Sequence, residues 1–297
     1  MHTWRLLPIV AITVASCNYI DPTDIKTAGR SNNTIVVVCD GEEQPQLWHF
    51  DIFRYDEADV REYDSEDGRV DIIDDGFGIL IYNTDSRKVK IREDAVTKNK
   101  IATTDAMSGN LTYNGKPLAN MPDMLYSEFV EEAYADNDAL IHVTPRPRVF
   151  TFDIKIEIND PDNVVYDCLS AVVDGFSKQV DLITLKRSAT TVAMAVPMWL
   201  TASTQKSAHA KTATGTMTTF GRPSDSQSRV PCHLVVNLVK ADNSALSSTI
   251  DISDCVGTAT RDGNISLSID IADTTPDNGN GPIDIKDRNK ENSHVNL

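Results

Sequence analysis

The sequence has few aromatic residues, an excess of acidic residues and no closely spaced cysteine pair. Aromatic residues make up only 6% of the 297 positions, which leaves few rings for stacking on sugars. The formal net charge is −16. This excess of acidic side chains argues against nucleic-acid binding, because phosphate contacts need clustered Lys and Arg. The sequence contains no C-x-x-C pair, which argues against structural zinc and thioredoxin-like sites.

Catalytic and cofactor motifs are also missing. The sequence has no H-E-x-x-H, no G-x-S-x-G and no G-x-x-x-x-G-K-[ST]. The six histidines are scattered, and His49, His142 and His233 fall in predicted strands, where we interpret them as structural. The acidic segments 64–68 and 273–281 lack the ligand spacing of a calcium loop. We therefore predict a non-enzymatic protein with no catalytic residue, no cofactor and no metal ligand.

The N-terminus carries an export signal. A mostly apolar run from Leu6 to Val14 is followed by Ala15, Ser16 and Cys17. Small residues directly before a cysteine resemble a bacterial lipobox, although Val14 stands where such motifs most often carry Leu. The interpretation predicts a signal peptide at 1–16, a lipid on Cys17 and a polar tether at 17–33; the alternative is an ordinary signal peptide that contains a cysteine.

The remainder of the chain reads as strands. Between Thr144 and Asn159, apolar residues occupy every second position from Phe150 to Ile158, which predicts a strand with one buried face. Pro145 and Pro147 precede it and indicate a joint between domains. We predict an N-terminal β-sandwich at 34–143, a C-terminal β-sandwich at 144–273 and a polar, unpacked tail at 274–297.

Three points of this interpretation concern particular residues. A helix competes with an irregular crossing segment over Met121–Ala135, because apolar residues there are spaced by four. Trp48 and Trp199 are predicted to pack in the core. The remaining cysteines could form disulfides in three connectivities, but buried thiols are favoured; they are Cys39, Cys168, Cys232 and Cys255.

Several short stretches together resemble a known family. They are Val14-Ala-Ser-Cys17, the Gly-rich strand before Tyr82-Asn-Thr-Asp85, the joint Val143-Thr-Pro-Arg-Pro147 leading into Phe150-Thr-Phe-Asp153, the run Ala193-Met-Ala-Val-Pro-Met198, the strand end Thr219-Phe-Gly221 and the β-run from His233. This pattern is similar to the fimbrial lipoproteins of Bacteroidetes, the family that includes the anchor subunits of type V-like pili.

The resemblance implies two tandem transthyretin-like, Greek-key β-sandwiches on a lipid tether at the outer membrane. It also implies an anchor or accessory subunit that binds other fimbrial or surface subunits by β-strand addition. The tail after Thr274 offers few alternating apolar residues, so we do not expect it to be a donor strand. The alternative function is a glycan-binding surface lipoprotein of a nutrient-capture system.

Overall fold

The structure is a computed structural model, and most of what it describes is β-strand. The described residues are 32–39, 45–54, 60–73, 77–109, 111–133, 139–160, 165–202, 210–224, 230–240, 242–256, 263–270 and 284–287. One helix of four residues is the only helix in these ranges. The predicted all-β class is confirmed.

In chain order the elements are β1 (Asn32–Val37), β2 (Trp48–Arg54), β3 (Val60–Ser65), β4 (Arg69–Ile73), β5 (Phe77–Asn83), β6 (Val89–Glu93), β7 (Lys100–Thr104), β8 (Thr112–Tyr113), β9 (Lys116–Ala119), β10 (Tyr126–Ala133), β11 (Leu140–Val143), β12 (Arg146–Pro147), β13 (Phe150–Asn159), β14 (Val165–Ser177), β15 (Gln179–Asp181), β16 (Thr191–Val196), β17 (Trp199–Ala202), β18 (Ala210–Thr219), β19 (His233–Lys240), β20 (Ala245–Asp251), α1 (Ser253–Val256), β21 (Gly263–Asp270) and β22 (Asp284–Asp287).

These strands form five sheets. Sheet 1 has the order β11-β1-β4, sheet 2 the order β12-β10-β5-β2-β3, and sheet 3 the order β15-β7-β6. Sheet 4 has the order β20-β19-β14-β16-β9-β8, and sheet 5 the order β17-β18-β13-β21-β22. Most pairs are antiparallel; β1 with β11, β13 with β21 and β9 with β16 are parallel.

The alternating segment recognised in the sequence is β13, near the middle of sheet 5. Its residues are buried at every second position, from Phe150 to Ile158, while Asp153, Lys155 and Asn159 are exposed. It pairs with β18 along its whole length. Its apolar face packs against sheet 4 in one core, which includes Phe176 and Val236. The predicted strand and its buried face are confirmed.

Sheet 2 differs because it is covered on both faces. Ile79 and Ile81 of β5 pack with Ile35 of sheet 1 in a second core. Leu80 and Tyr82, the alternate residues of the same strand, pack in a third core with residues of sheet 3 such as Ala102 and Val180. All seven residues of β5 are therefore buried.

Strands also cross between the two predicted domains. β15 follows the joint in sequence but pairs with β7, which precedes it, through Val180 and Ala102. In the opposite direction, β9 pairs with β16 through Leu118 and Ala193. The boundary at 143/144 stays a prediction. The C-terminal side contributes β12 to sheet 2 and β15 to sheet 3, and the N-terminal side contributes β8 and β9 to sheet 4.

The helix considered over Met121–Ala135 is wrong, because residues 126–133 form β10. The irregular segment fits residues 121–125 alone, and residues 134–135 lie outside the described set. A register shift lies between Val130 and Ala133. This bulge places Phe129 against the third core and Ala133 in the second, although residues four apart on a regular strand share one face. The spacing of four thus arose from a bulged strand with apolar neighbours on both sides.

Two further expectations fall partly within the described residues. The tail was expected to stay unpacked, but residues 284–287 form β22 and pair with β21. That expectation is wrong there, because strand pairing needs backbone groups rather than apolar side chains.

Cys232 is a buried thiol, as predicted, and burial raises the pKa of its thiol to about 12. Cys39 and Cys255 are half-buried, and the side chain of Cys168 lies outside the described set.

Candidate functional site

The predicted lipid-bearing residue precedes the described part of the chain. Cys17 and the signal at 1–16 lie outside it, so lipidation stays a prediction. The first described strand, β1, begins at Asn32 and occupies the middle of sheet 1 between β4 and β11. A membrane tether at 17–33 would therefore lead directly into a central strand.

Sheet edges are the sites at which strand addition could occur, and β20 has the edge best suited to it. β20 pairs with β19 on one side, and no other described strand pairs with its outer side. It has seven residues, Ala-Leu-Ser-Ser-Thr-Ile-Asp, with one charge at its end. Ile250 lies in the core and Leu246 packs against it, whereas Thr249 is exposed.

Other long edges carry charges that oppose further pairing. β3 has the sequence Val-Arg-Glu-Tyr-Asp-Ser, and β6 has the sequence Val-Lys-Ile-Arg-Glu. Charged side chains on an edge strand are a common means of preventing edge-to-edge association, because an added strand would have to bury them. The edge of β20 lacks this protection.

A second surface feature is the exposed tryptophan of β17. Trp199 is 62% exposed, so the prediction that it packs in the core is wrong, whereas Trp48 is 4% exposed and its prediction is confirmed. The reason is the position of β17 at the edge of sheet 5, where Leu200 turns toward the core and Trp199 turns outward. Beside the indole lies a shallow hollow of about 420 Å³, lined by Asp153, Lys155, Gly215 and others.

The outer face of sheet 5 around this indole is polar. Thr214 lies directly opposite Trp199 on β18, and Thr216 donates a hydrogen bond of 2.9 Å to the Asp153 carboxylate on β13. Hydroxyl, carboxylate and ammonium groups beside one aromatic ring could hold a polar ligand with an apolar face, such as a sugar.

A cavity of about 470 Å³ lies beside the β8–β9 hairpin at one end of sheet 4. Its lining includes Tyr113, Lys178, Asp174 and His233. His233 Nδ1 is 3.0 Å from Asp174 Oδ1, and both side chains are about one-third exposed. This pair lacks a nucleophile within the contacts described, and we assign it no reaction.

One group of described side chains has the composition of a cation site. A ligand atom from each of His49, Asp51 and Glu62 lies within 4.8 Å of the others. Sequence reasoning missed this group because β3 was not predicted as a strand. The available signal was the pattern H-x-D in β2 and E-x-D in β3, which a hairpin register of 49 with 64 and 51 with 62 brings together.

Two of the comparisons with known proteins concern sequence. A family model described as a domain of unknown function, DUF5119, matches residues 51–198. No curated protein matches the chain in sequence.

Solved structures give the clearer result. A candidate adhesin from Bacteroides ovatus superposes with a TM-score of 0.60 at 15% identity, covering 91% of this chain and 100% of that one. A candidate adhesin from Bacteroides thetaiotaomicron has a TM-score of 0.53 at 12% identity, with 83% and 93% covered. A candidate polysaccharide-binding protein from the same species has a TM-score of 0.51 at 9% identity, with 82% and 92% covered. The chain therefore has the fold of Bacteroidetes adhesin-like proteins, and the predicted resemblance to their fimbrial family is confirmed at the level of the fold.

Proposed function

We propose that the chain is a non-enzymatic surface lipoprotein, an anchor or accessory subunit of a fimbria-like assembly that binds its partner by β-strand addition. The observation that carries this proposal is the outer edge of β20, a seven-residue strand with a core-facing row and no protecting charges along most of its length. The shared fold with adhesin-like proteins and the lipobox before Cys17 support it.

Strand addition at β20 would use the same kinds of interaction that join the strands of sheet 4, namely backbone hydrogen bonds and apolar contacts. A partner strand would pair with the outer backbone groups of β20, and its alternate side chains would extend the row begun by Leu246 and Ile250. Its other side chains would face solvent beside Thr249. Main-chain hydrogen bonds then supply affinity, and the apolar row selects a partner with the matching alternation.

The anchoring part of the proposal rests on the N-terminus. A lipid on Cys17 would hold the protein at the outer membrane, since each buried CH₂ of an acyl chain contributes about 0.8 kcal/mol. In the described residues, no helix has the length and apolar character that spanning a bilayer requires. The variant Cys17→Ala should release the protein into the soluble fraction with its fold intact, and unchanged membrane retention would contradict lipidation at this residue.

The assembly is tested by cross-linking in cells. A photo-crosslinking amino acid at Ser247, an exposed residue of the edge strand, should give adducts with small β-rich subunits. The same amino acid at Thr214, exposed on sheet 5, should give none. The variant Thr249→Lys should abolish the adducts and leave the midpoint of thermal unfolding unchanged, because the side chain points to solvent. Recovery of the wild-type protein only as a monomer would overturn the proposal.

The alternative function is glycan binding at the outer face of sheet 5, and the exposure of Trp199 is the observation that favours it. A glycan array with the purified protein should then give signals that Trp199→Ala removes and Thr249→Lys retains. Equal signals from the wild type and Trp199→Ala would exclude this surface as the glycan site.

A further inference from the structure

Four polar side chains of the β2–β3 hairpin lie on the face of sheet 2 that is directed toward sheet 3. His49 is directly opposite Asp64, and Asp51 is directly opposite Glu62. Because residues two apart on a strand share a face, the hairpin register makes one cluster of all four. Lys100 reaches the same cluster from β7, with Nζ 2.9 Å from Glu62 Oε1 and 3.6 Å from Asp51 Oδ1.

Asp51 is the unusual member of this cluster. Its side chain is 0% exposed, and neither carboxylate oxygen has a hydrogen-bond partner among the described residues. The nearest cationic groups are His49 Nε2 at 3.3 Å and Lys100 Nζ at 3.6 Å, both from Oδ1. The Tyr82 side chain also interacts with this carboxylate. Contacts of this length compensate a buried carboxylate only in part, so Asp51 can accept a closer cationic ligand.

His49 is oriented so that its second nitrogen points at this carboxylate. Nδ1 lies 2.7 Å from Asp64 Oδ1, which fixes Nδ1–H as the donor of that hydrogen bond. Nε2 of a neutral imidazole is then an acceptor, and it is buried with no hydrogen-bond partner in the described structure. A lone pair therefore faces a carboxylate, and a cation is needed between them: either a proton or a metal ion.

We propose that His49 Nε2, Asp51 and Glu62 bind a divalent transition-metal ion of the zinc class, with Asp64 orienting His49. The separation of 3.3 Å between Nε2 and Asp51 Oδ1 suits two ligands of one tetrahedral ion, since metal–ligand bonds of about 2.0–2.1 Å place neighbouring ligands about 3.3–3.4 Å apart. A metal-binding histidine commonly donates its other ring N–H to a carboxylate, the role that Asp64 has here.

Glu62 supplies both the third ligand and the route to solvent. Its side chain is 55% exposed, so a small rotation can bring its oxygen to the ion while water completes the coordination. Two carboxylates balance the charge of a divalent ion. The site would fasten β2 to β3 close to sheet 3, which is a structural role rather than a catalytic one.

Lys100 competes with the metal for the same two carboxylates. Its side chain is 15% exposed, and its ammonium must move away from Glu62 when the ion binds. The competition gives the proposal a distinctive signature. Removing the ammonium with Lys100→Gln should strengthen metal binding, whereas in a simple ion network the same change would only remove a favourable contact.

The test is a Zn²⁺ titration of the full-length chain, stripped of metal with a chelator and followed by calorimetry near neutral pH. The wild type should bind one equivalent that is lost in Asp51→Asn and in Glu62→Gln. Asp64→Asn should weaken binding about 10–100-fold, and Lys100→Gln should tighten it. Co²⁺ in place of Zn²⁺ should give visible absorption bands in the wild type that Asp51→Asn lacks.

Asp174→Asn is the matched control. It removes the carboxylate of the His233–Asp174 pair, which has a similar separation of 3.0 Å, and it should leave the Zn²⁺ equivalent unchanged. Glu62 is exposed, so Glu62→Gln should fold even if Asp51→Asn does not. Absence of wild-type binding, or equal binding by wild type and Glu62→Gln, would overturn the proposal and assign the cation between His49 and Asp51 as a proton.

Discussion

The two halves of the molecule use their central strands differently. In β13 of sheet 5, buried and exposed residues alternate, because one face of that sheet packs on sheet 4 and the other is polar. In β5 of sheet 2, every residue is buried, because sheets 1 and 3 cover both faces. The burial pattern of a strand therefore reports how many layers surround it.

The two halves also bury a carboxylate in different ways. Asp160, beside the core of sheets 4 and 5, is 0% exposed and accepts a hydrogen bond of 2.8 Å from the Val165 N–H, with Lys211 Nζ at 3.3 Å. Asp51 is equally buried, but no such bond reaches it within the described structure. The first carboxylate accepts a short backbone hydrogen bond, whereas the second is approached by the His49 and Lys100 side chains without one.

The largest expected effects test whether sheet 2 is buried on both faces and sheet 5 on one. Leu80→Ala and Ile81→Ala, neighbours in β5, should each lower the free energy of unfolding by about 2–5 kcal/mol, because each leaves a cavity in a different core. In β13, Ile156→Ala should have a similar effect, while Lys155→Ala should change stability by less than about 0.5 kcal/mol. Urea unfolding measures all four; a Leu80→Ala effect as small as that of Lys155→Ala would refute the three-layer arrangement.

A smaller effect separates the two buried carboxylates in metal-free protein. Asp160→Asn should destabilise the fold by about 1–3 kcal/mol, because it weakens the bond from Val165 and leaves Lys211 without its charge partner. Asp51→Asn should cost less, because the contacts it weakens, with His49 and Lys100, are longer and include no backbone hydrogen bond. Thermal unfolding in chelator measures the difference, and the reverse order of the two variants would contradict it.

The smallest expected effect is a pH dependence from His49. The Asp51 carboxylate near Nε2 raises the pKa of His49 above its ordinary value, with burial opposing the shift. The stabilisation is then fully present below the unfolded pKa of about 6.5 and is lost as the pH rises through the higher folded value.

In chelator, His49→Gln should therefore be less stable than the wild type by on the order of 0.5 kcal/mol at mildly acidic pH. The gap should close as the pH rises, and urea unfolding at several pH values measures it. A gap that widens with pH would show that the neutral imidazole is the stabilising form.

Sequence periodicity was sufficient where one face of a strand meets water. The buried face of β13 follows directly from the spacing of its apolar residues. Periodicity failed for β10, where a bulge directs Phe129 and Ala133 to different cores. It also failed for Trp199, because nothing in the local sequence distinguishes an edge strand from a central one.

The candidate sites were less predictable than the fold, because they depend on register. The approach of Asp51 to Glu62 requires β3, whose charged sequence lacks the apolar alternation that marks a strand. The free edge of β20 is likewise a property of sheet order. No single-strand pattern shows which strand is last in a sheet.

The crossing strands give the molecule a mechanical property. β15 and β7 are hydrogen-bonded across the predicted boundary in one direction, and β9 and β16 in the other. A pull applied to one end of the body is therefore shared between the covalent chain at 144–147 and two backbone ladders. If Cys17 carries a lipid and β20 binds a partner as proposed, tension between the two would be carried by these ladders as well as by the covalent chain.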